Sequence, residues 1–189
     1  MQNLMSRKKI YIVISQTGTI LSRIIKLISG KEYNHASISL TRDLHTMYSF
    51  GRLNPYIPFF GGMVQESPHY GTFKRFSNTD VVVLSVEIDN EQYRAIKKAI
   101  RSMYYSRACY HYNYLGLCLA AFNIPFKPEN SYYCSEFVRY LLQEGNVEGS
   151  DQFDGIIHPM SFLNMPDAEV IYSGKLRNYE PEPKLAYNT

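Results

Sequence analysis

Cys134 stands in the run Asn130-Ser-Tyr-Tyr-Cys-Ser-Glu-Phe-Val-Arg-Tyr-Leu-Leu142, where a tyrosine-rich extended stretch turns into an amphipathic helix. Phe137, Val138, Leu141 and Leu142 follow it at helical spacing, so one face of that helix is apolar and meets a core. A cysteine at a helix N-terminus meets unpaired backbone N–H groups and the positive end of the helix dipole. Both favour thiolate over thiol, and the thiolate is the nucleophile. Far upstream, His35 lies in Tyr33-Asn-His-Ala-Ser-Ile-Ser-Leu40, whose alternation reads as a strand. Taken singly, each has a bland reading: a lone cysteine is usually a small hydrophobe, and a strand histidine a satisfied core group. Together they are the two halves of a nucleophile–base pair, the chemistry of acyl transfer through a thioester.

The elements that must position this pair follow from periodicity and punctuation. Lys8 to Ser15 alternates as a strand, with Ile10, Ile12 and Ile14 on one side and Tyr11 and Val13 on the other. A helix is expected over Thr19–Ser29, closed by Gly30, and a strand over Asn34–Leu40. The link Thr41-Arg-Asp-Leu44 joins this strand to a second, His45–Phe50, as a hairpin. Residues 51–76 contain Pro55, Pro58, Gly61, Gly62, Pro68 and Gly71 and read as a long aromatic loop, a length that often carries function. Asp80–Ile88 is a strong apolar strand, followed by a helix over Glu91–Tyr105 capped by Asn90. A short helix over Tyr112–Phe122, the Cys134 helix ending at Gly145, a segment starting near Ile156 and a final strand Glu169–Leu176 complete the pattern. The termini, residues 1–7 and 178–189, read as mobile tails.

Composition bounds the class. At 189 residues, 45% hydrophobic and 20% charged, the chain fits one domain with a substantial core. A net charge of +3 gives little support to nucleic-acid binding, and no apolar stretch is long enough to span a membrane. Cys109, Cys118 and Cys134 form no metal spacing, and their odd number suits a reducing compartment rather than a disulfide framework. With no recognisable secretory signal, a cytoplasmic location is expected. No phosphate loop and no metal-ligand spacing is present, so neither metal nor cofactor is expected. Seventeen tyrosines without a tryptophan are open to two readings, a partly wet cleft lined by phenols or simple compositional drift.

With the elements in place, the chain resembles the circularly permuted papain-like hydrolases of the NlpC superfamily, the YiiX-type branch, and more distantly lecithin:retinol acyltransferase. The resemblance rests on four stretches: Gly18–Gly30 with Tyr33-Asn-His-Ala-Ser-Ile-Ser-Leu40; Tyr112-Asn-Tyr-Leu-Gly116; Tyr132-Tyr-Cys-Ser-Glu-Phe-Val138; and His158-Pro159 leading to Ile171-Tyr-Ser-Gly174. It implies an α+β fold in which an antiparallel sheet packs against helices and the histidine strand precedes the nucleophile helix. It further implies Cys134 as nucleophile, His35 as general base and a polar residue on a following strand that orients the imidazole. Candidates for that third residue are Glu66 first, Ser49 second and His45 third. A neighbouring carboxylate at Glu66 would orient His35 and stabilise its charged form; its alternative is a solvated edge charge. The Cys134 backbone N–H and the Tyr112 hydroxyl are candidate oxyanion donors, with a purely structural Tyr112 as the other reading. Asn113 stands where many relatives carry an acidic residue. Glu136 reads as the partner of a nearby cation or as a helix cap, and His158 as a structural residue.

The function implied is hydrolysis of an amide or ester in a small-molecule, peptide-like or lipid substrate. Two rivals remain: an acyltransferase on a lipid substrate, and a binding protein that keeps the fold without turnover. Oligomeric state is not legible.

Overall fold

The period-two pattern of Lys8–Gln16 sends alternate side chains to opposite faces of one strand, and the strand becomes the centre of a sheet covered on both sides. The computed structural model describes residues 7–17, 30, 32–54, 56, 57 and 60–181. The expected helix over Thr19–Ser29, and the outer parts of both terminal tails, lie outside the described residues.

Around this strand, β1 (Lys8–Gln16), the sheet gathers β2 (His35–Ser39), β3 (Met47–Arg52), β4 (Gly61–Glu66), β5 (Asp80–Ile88) and β8 (Ala168–Lys175). The order is β4-β3-β2-β1-β5-β8, with every pairing antiparallel. A separate ladder pairs β6 (His111–Tyr112) in parallel with β7 (Ser131–Tyr132). Among the described residues the α-helices are α1 (Gly71–Arg75), α2 (Asn90–Tyr105), α3 (Tyr114–Ala120) and α4 (Cys134–Glu144). The expected α+β class is therefore observed.

Two cores follow from the alternation. Ile10, Ile12 and Ile14 of β1 meet Val82, Leu84 and Val86 of β5 and the apolar faces of α2 and α4, including Ile96, Ile100, Phe137, Val138 and Leu141. Tyr11 and Val13 face the other way, into a smaller cluster with Met47, Phe73, Val81, Val83 and Leu176. The sheet is thus covered on both faces, with α2 and α4 on the side of the larger cluster. Tyr179 packs on the smaller cluster and donates its hydroxyl to the Arg42 carbonyl at 2.7 Å, so the described start of the C-terminal tail is docked.

Several local expectations change. The loop over 51–76 contains β4 and α1; its flanking glycines and prolines hide a strand whose pairing with β3 is non-local. Tyr112 lies in a strand rather than a helix, because it pairs with Tyr132 twenty residues away. The α2 cap is Asp89, not Asn90. The Asp89 carboxylate accepts from Glu91 and Gln92 N–H, and the Gln92 side chain accepts from the Asp89 N–H at 3.0 Å. Asp89→Ala is therefore expected to lower unfolding free energy by about 0.5–2 kcal/mol, with Asn90→Ala closer to neutral, in urea denaturation. Equal losses for the two substitutions would contradict this capping assignment.

Candidate active site

His35 opens β2, and strand alternation puts its side chain on the face shared with Ser37 while Ala36 and Ile38 enter the larger core. The neighbouring positions of β3 on that face are small, Ser49 and Gly51. Across them Glu66, the last residue of β4, reaches the imidazole: His35 Nε2 lies 3.0 Å from Glu66 Oε1 and 3.1 Å from Oε2. Ser37 donates its hydroxyl to Oε2 at 2.5 Å and sits 3.4 Å from His35 Nε2. The His35 and Glu66 side chains are only 14% and 7% exposed. A Cβ added to Gly51 would lie 3.3 Å from Glu66 Oε1 and 3.5 Å from His35 Cε1, so a glycine there leaves the pair its room.

Cys134 approaches from the helical layer. The β6–β7 ladder, extended by Asn113 N–H to the Tyr132 carbonyl at 3.0 Å, delivers the chain into α4 with Cys134 as its first residue. The Tyr133 N–H is taken by Glu136 Oε2 at 3.1 Å, so Glu136 caps the helix as expected. N–H groups in the first turn have no intrahelical acceptor, which leaves the Cys134 amide available to a ligand. Cys134 is 2% exposed; its Sγ lies 3.8 Å from the Asn34 carbonyl oxygen, and it stands near enough to His35 to raise the pKa of the imidazole. The ring thus stands close to both residues, with Glu66 at Nε2 and Cys134 beside it.

Electrostatics fit that order. Burial is the largest single influence on His35 and lowers its pKa. The Glu66 charge, hydrogen bonds to Cys134 and Glu66, and the charge of a Cys134 thiolate together outweigh it and raise the pKa to about 10. Tyr112 is pushed well above the ordinary phenol value, first by burial and then by the charges of Cys134 and Tyr114, with Arg52 opposing. Its hydroxyl stays protonated and can donate. The rings of Tyr112 and Tyr114 stack with centroids 4.4 Å apart against the start of β4, where a Cβ on Gly61 would lie 3.0 Å from Tyr112 Cβ.

The other candidates sit elsewhere. Ser49 donates to the Ala36 carbonyl at 2.7 Å, a bond inside the sheet, and has none to His35. His45 lies beside His69, with ring centroids 5.4 Å apart. Asn113 caps α3, accepting from Gly116 N–H and donating to the Phe126 carbonyl, both at 2.8 Å; an aspartate could not make the second bond. His158 precedes the 3-10 turn Pro159–Asn164 and edges a narrow cleft beside Cys134, with Asn34, Leu117, Ala120 and Ile157. The cleft holds about 20 Å³, room for roughly one water. Among the described residues, no group of three or more His, Cys, Asp or Glu is placed to hold a metal ion. No described helix is long and apolar enough to cross a membrane.

Two contributors were not picked out from the sequence: Ser37 and Gly51. Ser37 was legible in principle, because a residue two beyond His35 on a strand shares its face. Gly51 was not, since its value depends on what β4 brings opposite.

A folded-state pKa raised above the unfolded value of 6.5 contributes stability that is complete below pH 6.5 and is lost as pH rises through about 10. NMR titration is therefore expected to show His35 protonated through pH 8. In Glu66→Gln, where burial is left with less opposition, its pKa is expected to fall by several units, and stability above pH 7 to vary less with pH. A wild-type imidazole titrating between pH 6 and 7 would contradict the pairing. Neither a scan against protein-family models nor a search of curated proteins finds a match to this chain.

Proposed function

We propose that the chain is a cysteine-dependent hydrolase or amidase with a circularly permuted papain-like fold, cleaving an amide or ester through a thioester. One observation carries this reading: a helix-start cysteine close to an imidazole that is itself paired with a carboxylate, the last two nearly sealed from water. The order of the elements, histidine strand first and cysteine helix last, supports the permuted arrangement, as does the packing of α4 on the histidine strand.

In the proposed cycle the Cys134 thiolate attacks the substrate carbonyl carbon and a C–S bond forms. The developing oxyanion is met by the Cys134 N–H and the Tyr112 hydroxyl. The His35 imidazolium gives its proton to the leaving nitrogen or oxygen as that bond breaks, leaving an acyl thioester. Neutral His35 then takes a proton from water, hydroxide adds to the thioester carbonyl, and the acid departs as Cys134 leaves as thiolate. Glu66 stays ionised throughout, holding the ring at Nε2 and stabilising the imidazolium. Ser37 keeps the carboxylate in place.

Intact-mass analysis after brief exposure to 4-nitrophenyl acetate tests this directly. One acetyl group is expected on Cys134, formed with a burst of nitrophenol and absent in Cys134→Ala. Tyr112→Phe is expected to slow acylation by roughly 10²-fold, the usual effect of losing one oxyanion donor. Modification only at the exposed Cys109 and Cys118, with none at Cys134, would make the protein a binder rather than an enzyme.

A further inference from the structure

A larger cavity, about 250 Å³, lies behind the nucleophile helix. It is bounded by α3, by the turn over residues 124–127 and by Glu136 and Arg139 of α4. Ala120 and Tyr133 form a wall common to it and the cleft beside Cys134. At 1.5 Å per residue, Arg139 stands about 7.5 Å along the helix from Cys134.

Arg139 is 8% exposed, and its Nη1 donates to the Phe153 and Gly155 carbonyls at 2.8 and 2.6 Å. Its Nε and Nη2 have no hydrogen-bond partner among the described residues, and no carboxylate there forms an ion pair with it. A guanidinium so far from water is usually closed by a carboxylate. Glu136, three residues before it on the same helix, does not fill that place: its Oε2 serves the Tyr133 N–H. Burial raises the Glu136 pKa, against the Tyr133 N–H, the charges of Lys127 and Arg139 and a hydrogen bond with Asn113. Lys127 adds a second cation on the cavity lining. A half-used arginine fork, a lysine and apolar walls suit a carboxylate or phosphate.

We propose that this cavity is an anion subsite, in which Arg139 and Lys127 hold a carboxylate or phosphate carried by the substrate. Its assignment to substrate rests on Cys134 being the nucleophile; the binding of the anion does not.

The test uses ¹⁵N-labelled Cys134→Ala protein, which cannot turn over. Glutarate and phenyl phosphate are titrated separately while the Arg139 Nε–H and the 153–156 amide resonances are followed. Saturable shifts are expected with at least one anion, and the stronger binder identifies the group. Lys127→Ala, a surface change that leaves the fold intact, is expected to weaken binding about tenfold. Arg139→Gln is expected to abolish it; if that variant fails to fold for want of the carbonyl bonds, Lys127→Ala decides alone. Absence of saturation with both anions, or affinity unchanged in Lys127→Ala, overturns the proposal. Because binding is read without turnover, anion binding alongside an unreactive Cys134 refutes the hydrolase reading, and acylation at Cys134 without anion binding refutes the subsite.

Discussion

The buried pair of Glu66 and His35 is the constraint around which this end of the sheet is built. Removing a carboxylate from water costs several kcal/mol unless its lone pairs are engaged and an opposite charge stands close. Here both oxygens meet the imidazole and one also receives the Ser37 hydroxyl. That arrangement requires three adjacent strands in fixed register and small residues between the partners. β2 supplies His35 and Ser37, β3 supplies Ser49 and Gly51, and β4 supplies Glu66. A larger residue at position 51 would displace the pair, and a one-residue slip of β4 would turn Glu66 to the opposite face.

The second constraint is how the sulfur reaches that pair. Sheet and helix are joined through the short β6–β7 ladder, which places Tyr112 opposite Tyr132, itself two residues before Cys134. The tyrosine pair then rests on the bare backbone of Gly61, tying the ladder to the start of β4. One contact therefore links the strand of Glu66 to the segment that leads into Cys134. The abundance of tyrosine takes on meaning here: near Cys134, Tyr112 offers ring packing against the start of β4 and a hydroxyl that stays protonated.

What could be read from the chain was what local pattern encodes. The helix after Cys134 and the strand of His35 are written in apolar periods of 3.6 and 2, and both stand nearly where expected. Glu66 was found as a carboxylate in a strand-like context downstream of the histidine, although its strand was otherwise hidden among glycines and prolines. Features set by non-local pairing were missed. Tyr112 looks helical until Tyr132 pairs with it, and Ser37 looks like a generic strand serine until β4 arrives. The Asp89–Asn90 step was missed for a different reason: both residue types cap helices well, and only the backbone decides which does.

The most direct test of the Cys134–His35 pair is the pH dependence of Cys134 alkylation by iodoacetamide, in the wild type and in His35→Ala. The exposed Cys109 and Cys118 serve as internal standards. Cys134 is expected to react far faster than either below pH 7, and to lose that advantage in His35→Ala, because only a thiolate held beside an imidazolium is nucleophilic at that pH. A Cys134 that reacts no faster than the other two, or whose reactivity is unchanged without His35, would contradict the catalytic pairing.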